Sequence, residues 1–127
     1  MNRINRSVFD ASAVLALLLD EPGADKLRDA QPTAVVCAVN AAEVIAKLVS
    51  RGMPLRETRS ALDALHLEVV PFDAIGAAVS GQFVCKGISL GDRCFLAAAS
   101  EAGSGWTSDR DLGDLAGNMA ASLRFFR

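Results

Sequence analysis

Short runs of β-branched and apolar residues alternate along this chain with longer segments of helical character. SVF at residues 7–9, TAVVC at 33–37, LEVVP at 67–71 and GWT at 105–107 predict four strands, and SLRFF near the end predicts a fifth. The segments between them are long enough for helices. Strands that alternate with helices indicate a parallel sheet covered by helices on both faces. The expected fold is therefore α/β, with three layers around a parallel sheet of about four or five strands.

Helix boundaries are marked by glycine and proline, which end helices or occupy their first turn. The apolar segment that begins at Ala11 is expected to end at Leu19, before Pro22. The remaining predicted helices run from residue 23 to the proline at 32, from 40 to about 51, from 54 through 65, from 73 to 87, and from 90 to 102.

The length of 127 residues fits a single domain spanning 1–127 that buries one core. Hydrophobic residues make up 51% of the chain and aromatic residues only 6%, so the core is expected to be aliphatic. The formal net charge of −2 gives no overall electrostatic reason to bind nucleic acid. A phosphate-bearing substrate would need a local cation, from a metal or a few arginines.

Cysteine and histidine provide little chemistry in this sequence. Cys37, Cys85 and Cys94 are odd in number and lack CxxC spacing, and His66 is the single histidine. A zinc site, a disulfide framework and a Cys–His nucleophile are therefore disfavoured. Reduced packing cysteines are expected.

The N-terminus superficially resembles a signal peptide, because MNRINR precedes an apolar run. Asp10 interrupts that run, no small-residue cleavage site follows, and AVLALLL is too short to span a bilayer. A cytoplasmic protein without a membrane partner is expected.

Four acidic residues stand where a strand or loop passes into a helix: Asp10, Glu43, Asp92 and Asp109. Asp10 and Asp109 follow predicted strands, and sites in parallel sheets lie outside the carboxyl ends of strands, near the topological switch point. If the four meet, their charges repel, and a divalent cation is the usual means of holding them together. The arrangement predicts a metal site, and such a site in a small protein usually indicates hydrolysis.

Helix capping is the alternative for each acid taken singly. Asp10 and Asp109 could cap helix N-termini, where the helix dipole stabilises a carboxylate. Two pairs have the spacing of a capping box, namely Asn40-x-x-Glu43 and Ser89-x-x-Asp92.

Two observations favour a shared site over isolated caps. Asp92 precedes Phe95 and Leu96 by three and four residues, which predicts a carboxylate that faces the core. Asp10 directly follows Phe9 at the end of a buried strand, where a simple surface cap is not expected. Buried carboxylates are rare unless they are paired or bind a metal.

Five stretches occur in a characteristic order: VFDASAVLALLLDEPGA, VNAAEVIAKL, VVPFDAIGAAVSG, LGDRCFLAAAS and TSDRDL. In this order they resemble the opening strand and helix, the second acidic motif, the central segment, and the third and fourth motifs of the PIN-domain family. The resemblance is strongest to the VapC-type toxins of bacterial toxin–antitoxin pairs. It covers essentially the whole chain, and four acidic motifs in order are far more specific than one.

The resemblance implies a compact PIN-like α/β/α fold and a metal-dependent endoribonuclease that hydrolyses phosphodiester bonds in RNA. It also implies Mg²⁺ or Mn²⁺, a homodimer, and a small antitoxin that blocks the site. Asp10, Glu43, Asp92 and Asp109 would form the acidic quartet that binds metal and performs catalysis. The positions that could support this quartet are Ser12, Asn40, Thr107 and Asp111, and Asp111 could also replace Asp109.

The residue types suit that chemistry, because hard oxygen ligands select Mg²⁺ or Mn²⁺ over zinc. Asp10, Asp92 and Asp109 are expected to be the principal ligands, and Glu43 to bind a second metal or orient the attacking water. Six cations lie near the acidic motifs or on neighbouring helices and could contact phosphate: Lys47, Arg51, Arg56, Arg59, Arg93 and Arg110. Arg93 and Arg110, each adjacent to an acid, are the favoured RNA contacts.

Two other functions fit parts of the sequence. A phospho-acceptor receiver domain has a similar length and an acidic Mg²⁺ pocket, and Asp73 follows the third predicted strand. It would also need a lysine near the fifth strand, but no lysine follows Lys86. The second alternative is a PIN-like domain without catalysis that acts as an interaction module.

Overall fold

A five-stranded parallel sheet forms the centre of the computed structural model, which describes residues 6–84, 86–116 and 122–127. The strands are β1 (Ser7–Phe9), β2 (Ala34–Cys37), β3 (Glu68–Val70), β4 (Ser104–Thr107) and β5 (Ser122–Phe125). Their order is β3-β2-β1-β4-β5, and all four pairings are parallel. The predicted α/β sheet is confirmed, including its fifth strand. Because the chain moves outward from β1 to β3 and then returns to β4, the topological switch point lies between β1 and β4.

Seven α-helices connect these strands within the described residues. They are α1 (Ala11–Leu19), α2 (Ala24–Ala30), α3 (Ala38–Ser50), α4 (Leu55–Asp63), α5 (Ala74–Ser80), α6 (Leu90–Ala102) and α7 (Arg110–Ala116). The predicted boundaries of α1 and α6 are confirmed. The helix predicted for 73–87 is shorter than expected, since α5 gives way to a 3₁₀ turn at Gly81–Phe83. Glycine favours such an interruption because it loses more backbone freedom in a helix than any other residue.

The sheet separates two apolar clusters, and successive residues of a strand face opposite clusters. Phe9 and Val36 pack with α1 and α3, whereas Val8 and Val35 pack with Phe95 and other α6 residues. This alternation explains why β1 and β2 are continuous apolar runs: both of their faces are covered. The three-layer α/β/α arrangement is therefore confirmed.

The last residues of the chain return to the start of α2. Gly23 has φ of 91°, and a Cβ at that position would collide with the backbone of Phe126. Arg127 donates hydrogen bonds to Glu21 Oε1 at 3.3 Å and to the Pro22 carbonyl at 3.2 Å. A glycine at position 23 thus lets the C-terminal segment lie beside the loop between α1 and α2.

Two cysteines, Cys37 and Cys94, are free and buried, and Cys85 lies outside the described residues. Residues 1–5 of the signal-peptide-like segment are also outside the described part. No helix among the described residues is long and apolar enough to cross a membrane.

Candidate active site

Asp10 lies at the carboxyl end of the central strand, beside the switch point. Its backbone N–H donates to the Trp106 carbonyl of β4 at 3.2 Å. Its carboxylate caps α1, because Oδ1 accepts from the Ala13 N–H at 2.9 Å and from the Ser12 hydroxyl at 2.6 Å. The side chain is nevertheless only 8% exposed. Asp10 is therefore a helix cap and a buried carboxylate at once, which combines the two sequence interpretations.

Burial dominates the ionisation of Asp10 and raises the pKa of its carboxyl above the ordinary value. Interactions with the hydroxyls of Ser12 and Thr107 and with the Ala13 N–H lower the pKa, and the negative charge of Asp92 raises it. The balance is a raised pKa. A site that disfavours the charged carboxylate in this way would be relieved by a bound cation.

A short polar network links Asp10 to the loop after β4. Ser12 Oγ, which donates to Asp10, also accepts from the Ser108 N–H at 3.2 Å. The Thr107 hydroxyl accepts from the Asp109 N–H at 3.0 Å, and Thr107 is fully buried. Ser12 and Thr107 thus fix the position of the backbone that carries Asp109.

The fourth acidic position contains two exposed carboxylates. Asp109 precedes α7, and its Oδ1 accepts from the Asp111 N–H at 3.1 Å, whereas Asp111 lies in the first turn of α7. Asp109 is the one directly hydrogen-bonded to the Thr107 side chain. Because the network fixes the backbone at Asp109, Asp109 is favoured over Asp111 as the fourth acid.

Asp92 lies in the first turn of α6 and is half-buried. It forms the predicted capping box: its N–H donates to Ser89 Oγ at 3.1 Å, and its Oδ2 accepts from the Ser89 N–H at 3.3 Å. The expectation that its carboxylate faces the core is wrong, because the side chain turns back toward the helix N-terminus. One carboxylate oxygen, Oδ1, has no part in the box.

Glu43 lies against the start of α6. Its Oε1 accepts from Asn40 Nδ2 at 2.8 Å, and the same amide donates to the Gly91 carbonyl at 3.1 Å. The capping box predicted for Asn40 and Glu43 is wrong, because α3 begins earlier, with Cys37 as its N-cap. Buried Asn40 instead joins α3 to α6, and its Oδ1 has no hydrogen-bond partner.

Gly91 is a site residue that sequence reasoning missed. It is buried, and a Cβ at this position would collide with the Glu43 carboxylate. The absence of a side chain therefore lets Glu43 approach the residue next to Asp92. A glycine inside a helix costs about 1 kcal/mol relative to alanine, so its place directly before an acid was the available signal.

The two favoured RNA contacts have different surroundings. Arg93 is half-buried on α6, and the Arg110 guanidinium stands 5.1 Å from the centroid of the Phe125 ring. Their contact with RNA stays a prediction.

The donors at this edge fit Mg²⁺ or Mn²⁺ in chemical type, since they are carboxylate, amide and hydroxyl oxygens. The raised pKa of Asp10 and the unpaired Asn40 Oδ1 both fit an edge of the sheet at which a cation can bind. Among the described residues, no three acidic, histidine or cysteine side chains are close enough to bind one metal. Mg²⁺ commonly takes only one or two carboxylates and keeps several waters, so Asp10 and Asp92 would hold it with the other acids at longer range.

The described geometry defines a class of protein: a parallel α/β/α domain with a buried carboxylate, Asp10, at the switch point of its sheet and Asp92 close enough to affect its charge. The model of the PIN domain matches residues 7–118. The chain belongs to the PIN domain family, which confirms the resemblance found in the sequence and removes the receiver domain as an alternative.

Three solved structures share the fold. VapBC2 from Rickettsia felis, bound to a DNA fragment from their promoter, has a TM-score of 0.71 at 13% identity, covering 94% of this chain and 98% of that one. VapBC-5 from Mycobacterium tuberculosis, a member of the VapBC family of toxin–antitoxin systems, has a TM-score of 0.64 at 19% identity, covering 97% and 98%. PAE2754 from Pyrobaculum aerophilum has a TM-score of 0.58 at 18% identity, covering 95% and 84%. A search of curated protein sequences returned no significant match.

Proposed function

We propose that this chain is a Mg²⁺- or Mn²⁺-dependent endoribonuclease, the toxin of a cytoplasmic toxin–antitoxin pair that a small antitoxin neutralises. Membership of the PIN domain family and the similarity of the fold to VapBC proteins support this function. The proposed functional unit is a single domain over residues 1–127 that forms a homodimer.

The observation that carries the proposal is the buried carboxylate of Asp10 at the switch point. Burial opposes its negative charge, and Asp92 adds a second negative charge nearby. The carboxylate caps α1, but a helix cap does not require such burial, and burial disfavours the ionised form that would bind a cation. A cation that binds there turns the same charge into a useful ligand.

The proposed roles follow from the surroundings of each acid. Asp10 and Asp92 hold the cation, which when bound supplies Lewis-acid activation of water and of the phosphodiester. Glu43, held by Asn40 beside Gly91, orients the attacking water or binds a second metal. Asp109 completes the quartet, while Ser12 and Thr107 position Asp10 and the loop after β4.

Cleavage of total cellular RNA by purified, antitoxin-free protein tests the proposal. Discrete fragments are expected with Mg²⁺ or Mn²⁺, and none with EDTA or with Asp92→Asn. Thermal melting must show that the variant is folded. Cleavage that persists in EDTA or in the folded variant contradicts the assignment of the metal site.

A non-catalytic interaction module is the second candidate. It is favoured by one observation, namely that no three metal-binding side chains converge among the described residues. This candidate would be supported over the nuclease if folded, antitoxin-free protein left every RNA intact in the presence of metal.

A further inference from the structure

A second feature of the site is the cavity that opens beside it, on the α1 and α3 side of the sheet. Its volume is about 510 Å³, which is within the usual range for ligand sites. Ser12 and Glu43 line it, and they belong to the polar network around the acids. The cavity therefore begins at the candidate active site and leads away from it.

Three cations also line the cavity: Lys47, Arg51 and Arg127. Lys47 and Arg51 follow Glu43 at intervals of four residues, so the three occupy one side of α3 and its C-terminal end, about 6 Å apart along the axis. Along α3, this row of side chains runs from the acidic Glu43 to the positively charged Lys47 and Arg51. Neither Arg93 nor Arg110 lines this cavity.

The positive charges of Lys47 and Arg51 are not neutralised within the described part of the chain. The four ion pairs there involve Arg6, Arg28 and Arg127, and none includes Lys47 or Arg51. Glu43 has suitable i,i+4 spacing to pair with Lys47, but it accepts from Asn40 instead. The lining also contains Glu21 and Glu43, so three cations face two acids, and within the described residues Lys47 and Arg51 remain outside any ion pair.

Apolar side chains also line the cavity, namely Ala11, Leu15 and Ala46. A ligand suited to the whole lining carries negative charge and also a less polar surface. A single RNA strand has this character, because its phosphates can meet cations while its unstacked bases and sugars meet apolar side chains. A duplex keeps its bases stacked and cannot place them against Leu15.

We propose that this cavity binds single-stranded RNA flanking the scissile phosphodiester, with Lys47 and Arg51 as its phosphate contacts. The inference rests on the proposed nuclease function and assigns residues that hold its substrate. Arg127, which is anchored by Glu21 and the Pro22 carbonyl, also lines the cavity.

Binding is tested apart from cleavage, using Asp92→Asn protein in EDTA and a labelled single strand of about 12 nucleotides, within the known range of site sizes. Lys47→Gln with Arg51→Gln is compared with Lys26→Gln and Lys86→Gln, a control pair that removes two exposed charges outside the cavity. We expect the cavity pair to weaken binding about tenfold near 0.1 M salt and to reduce the log–log salt slope by about 1.4. The control pair should keep the affinity and slope of the Asp92→Asn protein.

Lys47→Arg with Arg51→Lys retains both charges and should restore binding, and thermal melting of every variant separates lost contacts from lost fold. Equal weakening by the two glutamine pairs, an unchanged cavity pair, no RNA binding by the parent, or equal binding of a duplex would each overturn the inference. The inference would also be overturned if the cavity pair bound RNA normally but no longer formed the complex with the antitoxin, because the cavity would then be a binding site for a protein partner.

The two proposals fail separately. Parent protein that binds RNA through Lys47 and Arg51, while the wild-type chain cuts none, contradicts the nuclease and keeps the cavity assignment. If the wild-type protein cuts RNA but the cavity pair binds RNA normally, the cavity assignment is contradicted and the nuclease function is kept.

Discussion

Asp10 and Asp92 have the same proposed role but are held by opposite energetics. Asp10 directly follows the central strand β1 and is 8% exposed, and burial raises its pKa. Asp92 is half-buried in a capping box, where its carboxylate satisfies a backbone N–H at the start of α6. Both carboxylates accept a backbone N–H at a helix N-terminus, but burial disfavours the charge at Asp10. The comparison teaches that an acid at a helix start can be held near solvent or buried against the preference of its charge, and the buried one is the stronger candidate for a role beyond capping.

The largest expected effect is loss of cleavage when either acid loses its charge. Asp10→Asn and Asp92→Asn should each reduce the cleavage rate by more than about 100-fold, the upper range for removing a residue that only supports a metal ligand. Asp73→Asn is the matched control, because Asp73 caps α5 through the Gly76 N–H at 3.0 Å and lies outside the site. A similar loss of cleavage in Asp73→Asn, measured on labelled RNA, would show that the loss of a helix cap is enough to explain the effect of removing Asp10 or Asp92.

Ser12→Ala should reduce cleavage about 10-fold to 100-fold, because Ser12 joins the Asp10 carboxylate to the Ser108 N–H. The pKa of Asp10 should also rise further, since its interaction with Ser12 lowers that pKa. Ser80→Ala is the control, as its hydroxyl donates to Ala77 O on α5. Unchanged cleavage by Ser12→Ala in a single-turnover assay would remove Ser12 from the site.

Gly91→Ala tests whether Glu43 must lie against the start of α6, next to Asp92. The added methyl group must displace the Glu43 carboxylate, so cleavage should fall about tenfold while the melting temperature changes little. Gly81→Ala provides the control, because a Cβ there has no neighbour within 4 Å. Equal activity of the two variants would mean that Glu43 need not lie beside α6.

The smallest effects concern stability. Asp92→Ala should lower the free energy of unfolding by about 0.5 kcal/mol at pH 7, because the Ser89 N–H loses its acceptor and the helix dipole loses a negative charge, while the Ser89 cap remains. Asp10→Asn should not lower it, because Asn can still accept from the Ala13 N–H and removes a buried charge. Urea unfolding without metal measures both changes. A clear loss in Asp10→Asn would contradict the proposed cost of its charge.

The pH dependence follows from the raised pKa of Asp10. Between the unfolded pKa, near 3.9, and the higher folded pKa, the native state binds more protons than the unfolded chain. The stability contributed by protonated Asp10 is therefore present at low pH and lost as pH rises through the folded pKa. The difference in unfolding free energy between wild type and Asp10→Asn should follow this course, and a pH-independent difference would contradict it.

Local signals predicted the elements whose ends are decided by adjacent residues. The helix from Ala11 to Leu19 and the Ser89–Asp92 box depend on hydrogen bonds within three or four positions, so sequence patterns were sufficient. Asn40 shows the opposite case. Its amide donates to a carbonyl 51 positions away, and no spacing rule detects that use of the side chain.

The sequence by itself determined the alternation of strands and helices, the parallel sheet and the family, because these depend on hydrophobic period, chain breakers and motif order. It also placed Asp10 at the end of a buried strand. Only the tertiary structure decided that Glu43 lies against Gly91, that Ser12 links Asp10 to the loop after β4, and that Lys47 and Arg51 line a cavity beside them. The physical reason is that these relations arise where separate helices meet the carboxyl edge of one sheet, so they depend on packing between residues distant in the chain.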